Sequence, residues 1–404
     1  MAATQQSWSD IPLELAGLVL GCLPAHVDRV RFAAVCPQWR SAVLQVRLPA
    51  PPPLLALKRG GTFYSMPRGE PLHFPGCEER FATVSGSWLV YHRLHCLLLV
   101  DPFTGATMTL PAPSSVHLPG DGGDSKGGND SANDVGDDSE DGYDSMDGSD
   151  ALSVAAKYFE VIKLIVCSPD LVAAILWSSE NNWIAVCRPG ASLWSVAWDQ
   201  SFWITDIAFY QGKLYALNYG EDLLALDISV DDTIGDPRVA RIGQVIKIDY
   251  FDNPKTFKRM LYLAESGGSL LLVRRTFHSH VNGKGHIHTF AGQREPDVAI
   301  FEADFGQSQW SEVTSTSLGD DQALFLGPCS RAVHMPKGDS PGNRVWFLDD
   351  YKDFHVWDED EYEDSSCSGT SGMANHSKPF CPLPMISWSS CLGHTGAAWL
   401  FPSN

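Results

Sequence analysis

From residue 61 onward, short apolar segments alternate with turn residues, and this repetition restricts the fold of the 404-residue chain more than any other feature. The clearest unit, 207–227, contains three segments rich in apolar, β-branched and aromatic residues, separated by turns. Similar units cover 62–111 and 260–301, and the segment 343–349 looks like the inner part of another. Copies begin roughly fifty residues apart, which is the blade spacing of a β-propeller.

Each unit is a small sheet that cannot cover its own apolar face, so neighbouring units must stack and the ring must close. The pattern therefore predicts an all-β propeller of about six blades. A pair of β-sandwiches accounts for the same strands and stays open as the alternative. Two segments, 113–150 and 358–378, are acidic or rich in Ser and Gly, and we expect them to be a disordered insert and a low-complexity loop.

Residues 8–46 follow a different pattern, that of three short helices. A polar cap at Ser9 or Asp10 precedes Pro12, and apolar residues then recur at helical spacing up to Pro24. Two further helical patterns run over 27–36 and 37–46. A unit this small cannot bury so much Leu and Val by itself. We expect a second protein to cover the surplus, the alternative being a helical hairpin packed on the following domain.

Three motifs in this region, Ile11-Pro12-Leu13-Glu14-Leu15, Leu23-Pro24 and Val35-Cys36-Pro37-Gln38-Trp39-Arg40, resemble the F-box in order and separation. The resemblance implies an F-box over 7–47 that binds a Skp-family adaptor and, through it, a cullin. It also implies that Trp39 is the aromatic anchor of this contact. Carried over by position, the implied adaptor-binding residues are Ile11, Pro12, Leu13, Leu15, Leu18, Val19, Leu23, Val30, Val35, Cys36 and Trp39.

Later motifs, among them Gly61-Thr62-Phe63-Tyr64 and Asp101-Pro102-Phe103-Thr104-Gly105, are similar to the plant domain of unknown function 295 (DUF295), a KIB-type, kelch-like β-propeller that commonly follows an F-box. The resemblance implies a propeller domain over 48–404, and the Asp-rich insert and the stretch 229–257 depart from it. The motifs are Gly61-Thr62-Phe63-Tyr64, Phe74-Pro75-Gly76, Gly86-Ser87-Trp88-Leu89, Asp101-Pro102-Phe103-Thr104-Gly105, Asn343-Arg344-Val345-Trp346-Phe347-Leu348-Asp349-Asp350 and Trp399-Leu400-Phe401-Pro402-Ser403.

Together the two resemblances predict an α+β multidomain protein, with a small all-α three-helix F-box followed by the propeller. They imply a non-catalytic substrate-recognition adaptor of an SCF-type ubiquitin ligase, in which the propeller binds a target protein. The alternative is a propeller scaffold or inhibitor that binds a signalling protein without causing its degradation.

Composition limits the partners further. The net charge is −20, and half of it comes from 121–150, where ten Asp and one Glu face one Lys. A chain without clustered Lys and Arg is a poor ligand for nucleic acid. The ten Cys show no metal-ligand spacing, and we expect no signal or membrane-spanning segment. We therefore expect a reduced cytoplasmic or nuclear protein, or both, with no nucleic-acid or membrane partner.

The most tempting chemical cluster comprises His278, His280, His286 and His288 around a loop of Asn and Gly. In a hairpin with a two- or four-residue turn, the two His-x-His pairs lie on opposite faces. Only an odd-length loop with a bulge brings all four histidines together. The sequence favours a polar exposed hairpin without metal. No nucleophile motif or phosphate loop is present, so we expect no catalytic residues, no cofactor and no metal.

Overall fold

The computed structural model describes fourteen stretches of the chain, separated by gaps. The described residues are 11–58, 61–66, 69–117, 159–178, 182–197, 203–231, 235–248, 257–281, 287–289, 297–313, 322–335, 344–348, 369–372 and 397–402. Most of the predicted acidic insert, 118–150, and most of the loop 358–378 lie outside them.

Three helices open the described chain: α1 (Leu13–Gly21), α2 (His26–Val35) and α3 (Pro37–Gln45). Pro12 precedes α1, and its carbonyl accepts a hydrogen bond from the Ala16 N–H at 3.0 Å. The predicted polar cap at Ser9 or Asp10 lies outside the described residues. Pro37 occupies the first turn of α3, where its missing N–H costs nothing. The three helices predicted from the sequence are confirmed.

The rest of the described chain consists of strands joined by turns and irregular segments. In chain order the strands are β1 (Leu54–Leu57), β2 (Thr62–Ser65), β3 (Glu70–His73), β4 (Thr83–Ser85), β5 (Trp88–His92), β6 (Cys96–Val100), β7 (Thr107–Pro111), β8 (Val116–His117), β9 (Glu160–Ser168), β10 (Leu171–Trp177), β11 (Asn182–Cys187), β12 (Trp194–Ala197), β13 (Ile204–Tyr210), β14 (Lys213–Asn218), β15 (Leu223–Val230), β16 (Pro237–Ile246), β17 (Phe257–Ser266), β18 (Ser269–Val281), β19 (Ile287–Thr289), β20 (Asp297–Asp304), β21 (Gln309–Glu312), β22 (Gln322–Leu326), β23 (Arg331–His334), β24 (Arg344–Phe347), β25 (Gly369–Gly372) and β26 (Ala397–Leu400).

The described strands form six sheets, which are the blades of a propeller, and the prediction of about six blades is confirmed. From one edge to the other the blades are β26-β1-β2-β3, β4-β5-β6-β7, β9-β10-β11-β12 with β8 added to β12, β13-β14-β15-β16, β17-β18-β20-β21 with β19 on β18, and β23-β22-β24-β25. Because β26 completes the first blade, the two ends of the propeller are joined in one sheet, with Leu400 paired to Leu54. The β-sandwich alternative is wrong.

The sixth blade departs from the simple meander. Strand β22 pairs antiparallel with β23 on one side and parallel with β24 on the other. The outer strand, β25, lies within the segment predicted to be a low-complexity loop, and that part of the prediction is wrong. Its sequence, Gly-Thr-Ser-Gly, has small side chains, but a strand pairs through its backbone and needs no apolar residue to do so.

The start of the predicted disordered insert also belongs to the fold. Val116 and His117 form β8, which pairs in parallel with β12 of the third blade. The chain continues the apolar character of the second blade for these few residues before the acidic composition begins. The predicted boundary at 113 is therefore wrong by at least five residues, since the described chain continues to residue 117.

Side chains join the inner strands of neighbouring blades. The buried Lys163 of β9 forms an ion pair with the buried Asp206 of β13. The other carboxylate oxygen of Asp206 accepts a hydrogen bond from the Leu263 N–H of β17 at 2.6 Å. One carboxylate therefore connects the third, fourth and fifth blades. Burial raises the pKa of Asp206, while the Lys163 charge and two backbone N–H groups act in the opposite direction.

Candidate functional site

Helix α1 has two apolar faces. Its inner face carries Ala16 and Leu20, which are fully buried. On the other side, Leu15, Leu18 and Val19 are exposed by 51%, 69% and 41%. Cys22, directly after the helix, is also exposed. These four residues, spaced i, i+3, i+4 and i+7, form one stripe along the helix, which we call the outer stripe.

The other two helices also expose large apolar side chains, namely Val30 and Val35 of α2 and Leu44 of α3. Eleven large hydrophobic side chains are exposed in the described part of the chain, and six of them lie in these three helices. A soluble domain rarely leaves a large contiguous apolar area open unless another molecule covers it. The unit formed by α1, α2 and α3, which we call the helical unit, is therefore the candidate functional site.

The core of the helical unit lies on the opposite side. Phe32 of α2 is buried and stacks on Trp39 of α3, with ring centroids 4.3 Å apart and ring planes at 26°. Ala16, Leu20 and Ala42 complete this core. Cys36 precedes α3, and its Sγ accepts a hydrogen bond from the Trp39 N–H at 3.5 Å. Both Trp39 and Cys36 thus have a structural role within the unit.

Contacts with the propeller hold the helical unit in place. Arg31 of α2 forms a bidentate ion pair with Glu70 of the first blade, and one of its N···O distances is 3.0 Å. The ring of His26, at the start of α2, packs against Phe103 in the turn between β6 and β7. Burial, followed by the charge of Arg29, lowers the pKa of His26 from its ordinary value.

The turn that receives His26 is built by its own sequence. The buried Asp101 accepts hydrogen bonds from the N–H groups of Phe103, at 2.8 Å, and Thr104, at 3.2 Å. Its second carboxylate oxygen accepts a hydrogen bond from the Ser87 hydroxyl at 2.9 Å. Gly105 closes the turn with a φ of +74°, a conformation that favours Gly. The turn therefore presents Phe103 to α2 in a fixed position.

A second candidate is the cavity of about 700 Å³ that lies among the inner strands of the propeller. Lys163, Glu265, Arg331 and His334 contribute to its wall. The charge of Lys163 is neutralised by Asp206, so this residue supports the ring. Among the side chains that the structure describes, no group of three His, Cys, Asp or Glu could hold a metal ion. In the same part of the chain, no helix is long and apolar enough to cross a bilayer.

Two family models match the chain, and they agree with this division into helices and propeller. The F-box domain model matches residues 8–50, which contain the three helices. The KIB1-4 beta-propeller model matches residues 63–365 of the 404. The chain belongs to the KIB1-4 beta-propeller family. The outer stripe of this KIB1-4 beta-propeller protein therefore lies in its F-box.

No curated protein matches the chain. Among solved structures, the PQQ-bound form of aldose sugar dehydrogenase from Streptomyces coelicolor is similar at 12% identity and a TM-score of 0.25. The similarity covers 67% of this chain and 90% of that chain. At these values the likeness says nothing about the activity of the KIB1-4 beta-propeller protein.

The structure divides the predicted adaptor-binding residues into two groups. Six are exposed on the F-box: Pro12, Leu15, Leu18, Val19, Val30 and Val35. Five are half-buried: Ile11, Leu13, Leu23, Cys36 and Trp39. Trp39, the expected anchor, is stacked on Phe32 within the core. Two further residues of the three helices, Cys22 and Leu44, are exposed but were not among the predicted adaptor-binding residues. The exposure of Leu44 could have been predicted from the sequence, because Leu44 lies off the helix face that Trp39, Val43 and Val46 share.

Proposed function

We propose that this protein is the substrate-recognition adaptor of an SCF-type ubiquitin ligase. In this proposal its F-box docks a Skp-family adaptor, which connects it to a cullin, and its propeller binds a target protein. The observation that supports the proposal is the outer stripe, because Leu15, Leu18 and Val19 are exposed in the region that matches the F-box domain.

The energetics of the outer stripe are sufficient for a protein interface. Covering a fully exposed Leu or Val side chain is worth about 1.5–3 kcal/mol. A few such residues at the centre of an interface can supply most of its affinity. The neighbouring side chains of the helical unit are already packed on one another, so docking needs little rearrangement.

The proposed mechanism is proximity. The ligase enzymes carry the chemistry, and this protein itself is not an enzyme. It raises the local concentration of target lysines near the ubiquitin-carrying enzyme. Because α2 contacts the β6–β7 turn and the start of β3, the opposite ends of the strands are left for the target.

The proposal is tested by introducing charged side chains into the outer stripe. The double variant Leu18→Arg, Val19→Arg should fold normally, because both side chains are exposed. It should lose co-purification with the Skp-family adaptor, since two buried unpaired charges are costly at an interface. The matched control is Leu94→Arg, Val230→Arg, which makes the same change at two exposed positions of the propeller. Undiminished co-purification of the stripe variant would refute the proposal.

The same variants distinguish an adaptor from a non-degradative scaffold or inhibitor. Proximity labelling under proteasome inhibition, with intact and stripe-altered protein, identifies the target. For an adaptor the half-life of the target lengthens when Leu18 and Val19 are altered. For a scaffold the target still binds and its half-life does not change.

Three further expectations belong to the proposal. We propose that the propeller is of the DUF295 type, that the protein comes from a plant, and that it acts in the cytoplasm, the nucleus or both. The first two are supported by motifs such as Asp101-Pro102-Phe103-Thr104-Gly105, and the third by the scattered Cys. Fluorescence microscopy of the tagged protein tests the location.

A further inference from the structure

The fifth blade repeats the turn by which the second blade contacts the helical unit. In the β6–β7 turn, Asp101 accepts hydrogen bonds from the N–H groups two and three residues further along the chain. In the β20–β21 turn, Asp304 accepts the same two hydrogen bonds, at 2.9 Å and 3.0 Å. Each turn carries a Phe, which is Phe103 in the second blade and Phe305 in the fifth. Phe103 packs against α2, whereas the side chain of Phe305 is 38% exposed.

Phe305 lies against two tyrosines of the fourth blade. Its ring is nearly parallel to that of Tyr210, with planes 9° and centroids 6.0 Å apart. The ring of Tyr215 is tilted, and its centroid lies 5.5 Å from Phe305 and 6.2 Å from Tyr210. The Tyr210 hydroxyl donates to the Gly268 carbonyl and accepts from the Gln211 amide at 2.8 Å. These three rings, which we call the aromatic platform, therefore support Phe305 in a fixed position at the surface.

Negative charge surrounds the aromatic platform. The turns that carry or adjoin the platform, 209–214, 264–270 and 301–310, contain three carboxylates but only one Lys and no Arg. The carboxylates are those of Glu265, Glu302 and Asp304, and the Lys is Lys213. Lys213 forms an ion pair with Asp227 at 3.1 Å, which balances its charge. The surface around Phe305 therefore attracts a cation.

Two of these carboxylates lie near Tyr210. Glu302 accepts a hydrogen bond from the Ser269 hydroxyl, and Ser269 follows Gly268, whose carbonyl accepts from the Tyr210 hydroxyl. Burial raises the pKa of Tyr210, the charge of Glu265 raises it further, and that of Glu302 acts in the same direction. The side chains of Glu265 and Glu302 are exposed. Aromatic rings and open carboxylates thus occur together on this surface.

An aromatic ring beside a carboxylate is a suitable site for a guanidinium group. Arginine stacks on ring faces and pairs with carboxylates through a planar fork of N–H donors. The fifth blade contains one such arrangement filled by its own chain. There the guanidinium of Arg274 lies 4.7 Å from the centroid of Phe301 and pairs with Glu221 at 3.1 Å. We propose that Phe305 and Glu302 bind an arginine-containing segment of a partner protein.

The position of this surface separates it from the other contacts of the propeller. The β6–β7 and β20–β21 turns each join the third and fourth strands of a blade. Because neighbouring antiparallel strands alternate in direction, both turns emerge on the same face of the ring. With six blades, the fifth lies across the ring from the second. A segment bound at Phe305 therefore shares the face of the helical unit and leaves the opposite face to the target of the proposed adaptor.

The experiment uses the full-length protein and a fluorescein-labelled peptide in which three Arg are separated by Gly and Ser. Fluorescence anisotropy in about 0.15 M salt measures the affinity while long-range attraction is largely screened. The wild type should bind the Arg peptide more tightly than a matched Lys peptide, and much more tightly than a matched Gln peptide. Phe305→Ala should weaken binding of the Arg peptide by about 3- to 10-fold, which is the range of a cation–π contact.

Further substitutions of Phe305 separate the cation–π contact from the attraction by overall charge. They leave the net charge unchanged, so any attraction by the acidic stretch 121–150 remains. Phe305→Leu keeps an apolar side chain without a ring and should weaken binding as Phe305→Ala does. Phe305→Trp should bind at least as tightly as the wild type, because Trp offers the best ring for a cation. The control is Leu193→Ala, at an exposed position between the third and fourth strands of the third blade.

The contribution of the carboxylate is tested by Glu302→Gln, which should also weaken binding. Its control is Glu312→Gln, which makes the same charge change at an exposed position of β21 in the same blade. Both control variants should bind as the wild type does, and thermal melting checks that every variant is folded. Unchanged affinity in Phe305→Ala, wild-type affinity in Phe305→Leu, or equal binding of the Arg and Gln peptides would overturn the proposal. None of these measurements involves the Skp-family adaptor, so their outcome is separate from that of the adaptor proposal.

Discussion

His26 and Phe103 meet edge to face, with ring centroids 4.8 Å apart and ring planes at 72°. Phe103 in turn packs against Phe74 at 5.3 Å, and Phe74 against Phe63 at 5.0 Å. Aromatic contacts therefore run from α2 through a turn of the second blade into the core of the first blade. This chain of rings fixes the helical unit on the propeller, and it makes the junction sensitive to the charge of His26.

Acid should loosen this junction. Folding lowers the pKa of His26 from the ordinary value of 6.5, mainly because of burial and then because of Arg29, with Asp101 opposing. The unfolded chain therefore binds the proton more readily. Neutral His26 therefore contributes to the free energy of unfolding. This contribution is fully present above about pH 6.5 and is lost as the pH falls through the lower folded-state pKa. His26→Gln cannot take up this proton.

The measurement compares the melting temperatures of wild type and His26→Gln between about pH 7 and about pH 5. The melting temperature of the wild type should fall further over this range than that of the variant. His95→Gln, at an exposed position, serves as the control and should follow the wild type. Parallel curves for wild type and His26→Gln would show that His26 does not control the junction.

Inner and outer residues of α1 should differ in their effect on stability. Leu20 is fully buried, whereas Leu18 is largely exposed. Leu20→Ala should destabilise the helical unit by about 2–5 kcal/mol, and Leu18→Ala by no more than about 0.5 kcal/mol. Hydrogen exchange of the amides of α1–α3 measures both. Equal protection in the two variants would contradict the assignment of Leu20 to the inner face of α1 and of Leu18 to the outer face.

The sequence predicted the helices because their apolar spacing is local information. It also predicted that the three helices together carry more Leu and Val than they can bury. Only the structure shows that Ala16 and Leu20 form the inner face of α1 and that Leu15, Leu18 and Val19 stay exposed. The sequence could not place Trp39. The spacing of Trp39, Val43 and Val46 shows that they share a face, but only the packing of α2 shows that Phe32 covers it.

Strand order and register depend on contacts between distant segments. The blade repeat predicted the six blades, but the parallel pairing of β22 with β24 leaves no mark in local composition. The register of the β18–β19 hairpin depends on the length of its loop, which polar residues alone do not fix. The pairing of His280 with His288 was therefore accessible only from the structure.

The Lys163–Asp206 pair should tolerate joint replacement better than the loss of one partner. Both side chains are buried, so Asp206→Ala leaves an uncompensated charge on Lys163. Removing one partner of a buried pair typically costs about 3–5 kcal/mol, while replacing both by apolar residues is often close to neutral. The double variant Lys163→Met, Asp206→Leu should therefore be more stable than Asp206→Ala. Urea unfolding followed by tryptophan fluorescence tests this order, and the reverse order would contradict it.

Closure of the propeller should depend on Trp399 of β26. Its side chain is 2% exposed, and its indole N–H donates to the Leu326 carbonyl of the sixth blade at 3.0 Å. It also packs edge-on against Phe325, with ring centroids 5.1 Å apart. Since β26 belongs to the first blade, Trp399 joins the first and last blades directly. Trp399→Ala should destabilise the propeller by about 3–5 kcal/mol.

The control for this prediction is Trp203→Ala, which removes the same side chain from a partly exposed position, 37% accessible, ahead of the fourth blade. It should cost clearly less in urea unfolding. The stability of Trp399→Phe should lie between those of the two Ala variants. Phe keeps an apolar ring but leaves the buried Leu326 carbonyl without its donor, a loss of about 1–3 kcal/mol. If Trp399→Ala unfolds at the same urea concentration as Trp203→Ala, the contact between β26 and the sixth blade does not limit the stability of the ring.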